Sequence, residues 1–178
     1  MKIFKDLKET IRLIKSDYKG YGEPFIKLLF WEPGFKYTFH HRLCFFFFKH
    51  NLFFFPLYVL WRLYMKHLTY LVGIQTAQNR QLPERFVIAH FGGITFFPEK
   101  CGAGIYLRQG CTVGSRGRDG QRPPILGNNI EFGANAIVIG PITIGNNVTI
   151  AAGAVVNKDV PDNVVVAGVP ARIIKYKK

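Results

Sequence analysis

The spacing of hydrophobic positions changes near residue 73. Before it, Ile3, Leu7, Ile11 and Ile14 recur at helical intervals with lysines between them, which predicts an amphipathic helix over residues 2–15. SDYKGYGEP then puts Gly20, Gly22 and Pro24 where a helix has to stop. Residues 35–72 are dominated by Phe, Leu and Tyr, with phenylalanine runs at 45–48 and 53–55. Residues 43–61 have the length of a membrane span. Lys49, His50 and Asn51 interrupt them and Pro56 follows, so the pattern predicts two helices meeting near His50 and Asn51.

Beyond residue 73 the period is six. Leu126, Phe132, Val138, Ile144, Ile150 and Val156 follow one another six residues apart. The next position is small at Gly127, Gly133, Gly145 and Ala151, and the position four after is apolar at Ile130, Ala136, Ile142, Val148 and Ala154. The same frame runs upstream through Cys101-Gly102, Leu107 and Val113-Gly114, with a fainter echo at Ile88 and Ile94. A six-residue repeat walks round an α-helix and gives it no constant face. Short extended segments that turn a corner every six residues can use it, each aliphatic filling the inside of a prism and each small residue sitting at a corner. Residues 74–166 therefore predict a solenoid of parallel strands with three faces and about five coils. GSRGRDGQRPP, at 114–124, breaks the frame and should bulge outward carrying Arg116, Arg118 and Arg122. It reads either as a solvated loop or as a functional one lying over a site.

Composition sharpens the division. Residues 1–73 hold 20 of the 27 aromatics and 4 of the 18 glycines. Two domains are expected: 1–73, helical and aromatic-rich, and 74–178, the solenoid. The net charge of +13 is shared by both and favours an anionic partner, whether nucleic acid, membrane surface or phosphorylated small molecule. Nucleic acid is the weakest of these, because the arginines are not interleaved with aromatics on one module. Three cysteines without C-x-x-C spacing argue against a disulfide framework or thiolate zinc site. MKIFKDLKET has charges where a signal peptide needs an apolar run, so a cytoplasmic location is expected.

The repeat resembles the left-handed β-helix of the hexapeptide-repeat acyltransferases. GANAIVIGPITIGNNVTIAAGAVVNKDVPDNVVVAGVPARII is similar to the closing coils of serine acetyltransferases and their sugar-modifying relatives. HHRLCFFFFKHNLFFFPLYVLWRLYMKHLTYLVGI resembles the helices leading into that β-helix. The resemblance implies an all-β left-handed parallel β-helix preceded by an α-helical region, acetyl-CoA as cosubstrate, and a homotrimer with each active site between two chains. His90, in F-V-I-A-H-F-G-G-I, matches the family's catalytic base; unaided, a lone histidine in a solenoid turn reads as an ordinary surface residue. Backbone N–H groups near Gly92 and Gly93 or Gly114 would hold the oxyanion. Gly114, Ser115, Ala134, Ala151 and Ala152 match positions that line the acetyl-CoA groove, with Lys158 and Arg172 for the nucleotide phosphates. Gly92, Arg116 and Arg122 are the expected acceptor contacts. The γ-type carbonic anhydrases on this fold use three β-helix histidines; here there is one, so no metal is expected.

Departures from the serine acetyltransferase pattern bear on the acceptor. Gln75 stands where the family has the acid that orients the base, and Ala77 replaces the histidine of the same motif. Ala89 replaces an aspartate that helps hold the amino acid, and Gln121 and Arg122 fill the D-R-H-P positions. A carbonyl or another carboxylate such as Glu99 would then orient His90. An amino-acid acceptor needs a carboxylate for its ammonium, so the expectation shifts to a sugar hydroxyl in capsule or exopolysaccharide assembly, on a soluble or lipid-linked saccharide. Serine O-acetylation is the alternative, and a non-catalytic β-helix scaffold is the second. The phenylalanine-rich helices leave two readings open: packing within the oligomer, or peripheral docking on a membrane surface through Arg42, Lys49, Arg62 and Lys66.

Overall fold

The computed structural model describes residues 2–117 and 121–177. Four helices come first: Lys2–Tyr18 (α1), Phe25–Trp31 (α2), Pro33–Lys49 (α3) and Asn51–Val72 (α4). The break between α3 and α4 falls at His50, and α4 is kinked at Phe54, whose φ of −120° leaves the helical region. Pro56 is tolerated because the helix restarts there, where a missing N–H costs nothing. Gly73 closes α4 in the left-handed conformation (φ 64°), its N–H bonded to the Thr69 carbonyl. Among the described residues no helix is long and apolar enough to cross a membrane.

The chain then winds as a left-handed parallel β-helix. Numbered in chain order, its strands fall on three faces. The first holds Ile74–Thr76 (β1), Ile94–Phe96 (β3), Thr112–Gly114 (β6), Ile137–Ile139 (β9) and Val155–Val156 (β12). The second holds Lys100–Cys101 (β4), Ile125–Leu126 (β7) and Thr143–Ile144 (β10). The third holds Phe86–Ile88 (β2), Ile105–Leu107 (β5), Ile130–Phe132 (β8), Thr149–Ile150 (β11), Val164–Gly168 (β13) and an antiparallel final strand, Ala171–Tyr176 (β14).

Register explains the hexads. Thr143 pairs with Ile125, Thr149 with Glu131 and Val155 with Ile137, each 18 residues and therefore three hexads apart. Lys100 pairs with Ile125 and Ile105 with Ile130, a separation of 25 that is 7 more than 18. The excess is the insertion between β6 and β7; Arg118 within it lies outside the described residues. Every residue of the Leu126-to-Val156 frame is buried, as are its inner partners.

One hydrophobic core runs from the helices into the coils, joining Tyr37, Cys44, Met65 and Leu68 to Ile74, Phe86 and the repeat aliphatics. A buried ion pair pins the two parts together. Arg42 donates from Nε and Nη2 to the Asp17 carboxylate at 3.0 Å each, and its nitrogens also reach the Leu82 and Pro83 carbonyls. Asp17 in turn accepts the Phe86 N–H at 2.9 Å, so the first residue of β2 is held from α1.

Candidate active site

The corner between β2 and β3, residues 89–93, carries His90, which is exposed. Gly92 and Gly93 make the turn with φ of 101° and 66°, a region that favours glycine. Later coils stack on this corner: the Gly110 N–H donates to Gly92 O, Asn135 N–H to Gln109 O, and Gly153 N–H to Ala134 O. His90, Gly92, Ala134, Ala151 and Ala152 therefore lie along one edge of the prism. Gly114, Ser115, Arg116 and Lys158 follow the ends of β6 and β12, at the opposite edge of the same face. Arg122 faces Glu99, with 3.9 Å between guanidinium and carboxylate. Arg172 stands apart from these on β14 of the third face, donating to its own Ala171 carbonyl.

The small residues divide by what surrounds them. A Cβ on Gly127 would meet the Gly145 carbonyl oxygen at 2.7 Å, and one on Gly133 would run into the Ala152 backbone, so coil stacking alone requires glycine there. Gly114 has open space where its Cβ would be. Its smallness is not explained by packing within this chain, which leaves room for a ligand.

The five histidines separate cleanly. His41 is fully buried in α3, with Nε2 3.3 Å from the Ala77 carbonyl, and burial pushes it down to about 3. His40 is pushed down to about 4, chiefly by burial. His50 sits 3.1 Å from Asp6, and His67 is exposed on α4. His90 is thus the histidine that projects from the β-helix. Among the described residues no three His, Cys, Asp or Glu side chains gather as a metal site would require. The Cys101 thiol is raised to about 12 by burial, which makes it a poor nucleophile.

Within the chain Glu99 does not lie beside His90. It lies past the far end of β3, in a cavity of about 400 Å³ shared with Arg80, Phe96 and Lys100. Gln75 is exposed on β1, paired in register with Thr95. The acid near His90 comes instead from the helical region. Glu32 ends α2 and starts α3, and it lines a cleft of about 590 Å³ together with Trp31, Ala89, His90, Phe91 and Gln109. The junction is held rigidly there. Gly34 lies so close to the Ile88 carbonyl that no side chain fits, and the Tyr21 hydroxyl donates to Ile88 O (3.2 Å) and accepts from Ile88 N–H (2.9 Å). Sequence reasoning missed Trp31 and Glu32. No local motif marks them, and only the docking of α3 on β2 brings them to the histidine.

Comparison with known proteins agrees with this architecture. Residues 123–158 match the family described as bacterial transferase hexapeptide (six repeats). The chain is 31% identical over 174 residues to a serine acetyltransferase of Bacillus pumilus, covering 96% of this chain and 77% of that protein. It is 40% identical over 125 residues to the putative colanic acid biosynthesis acetyltransferase WcaB of Escherichia coli K12, covering 69% and 75%. The structure of a Brucella abortus serine acetyltransferase in complex with coenzyme A superimposes with a TM-score of 0.75 at 26% identity, over 98% of this chain and 70% of that one. Against the serine acetyltransferases that it matches by sequence, the chain spans between 56% and 77% of their length.

Proposed function

Because the chain belongs to the hexapeptide-repeat acetyltransferases of the serine acetyltransferase type, we propose that it transfers an acetyl group from acetyl-CoA to an acceptor hydroxyl, with His90 as general base. The observation that carries this is the placement of His90 at the head of the edge formed by Ala134, Ala151 and Ala152, on the face whose other edge carries the uncrowded Gly114. The imidazole takes the hydroxyl proton as the oxygen attacks the thioester carbonyl. The tetrahedral oxyanion is held by backbone N–H groups at Gly92 and Gly93. On collapse the C–S bond breaks, and the imidazolium returns its proton to the departing thiolate, releasing the O-acetyl ester and free CoA. The cosubstrate lies along this face, between it and a neighbouring copy, with Lys158 for its phosphates. The site is completed by a neighbouring copy in a homotrimer.

The comparisons back serine as acceptor ahead of a saccharide, since serine acetyltransferases lead both the sequence and the structural matches. Serine O-acetylation is therefore the first reading of the acceptor. Transfer to a sugar hydroxyl is the second, supported by Ala89 in place of the family's acid and by the 40% identity to WcaB. Replacing His90 with Ala tests the shared mechanism: turnover should fall by about two to four orders of magnitude, and near-normal turnover would remove His90 from it.

The helical hairpin supports a further element of this reading, peripheral docking on an anionic membrane. Residues 33–72 contain no Asp or Glu; Arg42, expected at the membrane, is instead buried on Asp17 and Lys49 is paired with Asp6, which leaves Lys36, Arg62 and Lys66 as the cations of the hairpin. On α4, Leu52 is 87% and Phe53 70% exposed, and Phe55, Leu60 and Leu63 are also exposed, with Arg62 and Lys66 among them. Lipid tails and anionic headgroups meet both properties of this face, whereas a second copy would oppose like charges.

A further inference from the structure

A groove of about 910 Å³ runs between α4 and the first coil of the β-helix, and the acetyl-transfer mechanism makes no use of it. Arg62 and Lys66, one helical turn apart on α4, both line it. Gln78 and Asn79, just beyond β1, line it from the coil. Arg62 Nη1 donates to Gln78 Oε1 at 2.8 Å, a bond that joins helix to coil and fixes the guanidinium in place. Its partner there is a neutral amide, so the cation is not compensated, and the amide nitrogen of Gln78 remains a donor. No Asp or Glu lines the groove.

Two cations and amide donors without an acid suit an oxyanion, and phosphate matches a fixed guanidinium in both charge and geometry. The surface beside these groups is apolar. Leu63 and Tyr70 line the groove and are 61% and 75% exposed, and Leu60 and Leu71 continue the exposed apolar surface along α4. A soluble phosphate leaves that surface in water, whereas a lipid covers it with its acyl chains. We propose that the Arg62–Lys66 groove is a binding site for the phosphate of an anionic phospholipid, with the acyl chains lying along Leu60, Leu63 and Leu71. The inference rests on the membrane-docking reading and deepens it, from a diffuse attraction between charges to one seat for one headgroup.

The test is flotation of the full-length protein with phosphatidylcholine vesicles that contain phosphatidylglycerol. Loss of one cation from a diffuse field weakens vesicle binding about fivefold, and Lys36→Gln, on the hairpin but outside the groove, measures that loss. Arg62→Gln and Lys66→Gln remove charge-assisted bonds to a seated phosphate and should each weaken binding roughly tenfold or more. Gln78→Ala changes no charge, yet it releases the guanidinium and removes an amide donor, so it should weaken binding about three- to tenfold. Arg62 and Lys66 are exposed, so their variants should fold.

Equal losses in Lys36→Gln, Arg62→Gln and Lys66→Gln, with none in Gln78→Ala, would overturn the site while leaving membrane docking intact. Wild-type protein that stays wholly in the soluble fraction would remove the docking and the site together. Inorganic phosphate that binds the lipid-free protein as tightly as the vesicles do, and fails to bind Lys66→Gln, would give the groove to a soluble phosphate and overturn the lipid assignment. Groove variants that alter the mass of the lipid-free protein in light scattering, with flotation unaltered, would assign the groove to a second copy and equally overturn it.

Discussion

Protonating His41 should loosen the joint between the helical region and the β-helix. The ring is fully buried in α3, and its Nε2 meets the Ala77 carbonyl just beyond β1. Burial first, and the adjacent Arg42 guanidinium second, push it from 6.5 down to about 3. The folded chain therefore refuses a proton that the unfolded chain accepts below pH 6.5. Stability from this group is fully present above that value and is lost as pH falls towards 3. Each pH unit in this window corresponds to about 1.4 kcal/mol, so lowering the pH from 6.5 to 5 costs about 2 kcal/mol. Against a typical total of about 5–15 kcal/mol that is a large share. The assay is urea unfolding at pH 7 and pH 5, at one protein concentration so that assembly contributes equally. His41→Gln keeps a donor for Ala77 but does not titrate. The wild type should lose about 2 kcal/mol more than the variant between the two pH values; His40 is present in both and cancels. Equal losses would refute the assignment.

The other predictions follow from packing and charge. Gly114→Leu should raise the KM for acetyl-CoA at least tenfold with thermal stability nearly unchanged, because its Cβ points into open space; Gly133→Ala should do the reverse, lowering Tm because the Ala152 backbone occupies the position. Asp17→Ala leaves Arg42 as an unpaired buried cation and should destabilise the fold by about 3–5 kcal/mol, read by chemical unfolding. The helical hairpin should carry the protein up with vesicles containing anionic lipid in a flotation gradient, and Phe53→Ser with Phe55→Ser should leave it in the soluble fraction. Wild-type protein that stays wholly soluble contradicts membrane docking.

The parts of the fold that were legible in the sequence are those governed by short repeats. The six-residue spacing from Leu126 to Val156 dictates which side chains face the prism interior, and the structure buries all of them. The polar break at 114–124 reads directly as the seven extra residues between paired strands. Gly20, Pro24 and the pair His50 and Asn51 mark helix ends because backbone chemistry acts locally. The surroundings of His90 were not legible in the same way. Gln75 and Ala89 report the loss of two acids at positions a motif would supply, but nothing near them in sequence reports that Glu32 lines the cleft. That placement depends on Gly34 packing flat against Ile88 and on the Asp17–Arg42 pair, contacts between distant segments. Glu99 shows the converse: close to His90 in sequence, it lies beyond the opposite end of β3, because a strand of this coil carries the chain from one prism edge to the next. The phenylalanine runs also divide on folding. Phe46 is buried, whereas Phe53 and Phe55, on either side of the kink at Phe54, are exposed.

The most direct test of the mechanism is thiol release from acetyl-CoA, measured with L-serine and separately with neutral glycosides, using wild type and His90→Ala. Acceptor-dependent release by the wild type that falls by about two to four orders of magnitude in the variant is the expected result. The acceptor that supports it decides between serine and saccharide. Release at an equal rate in both proteins, or none with any hydroxyl acceptor, would contradict the assignment of His90 as the base of an O-acetyltransferase.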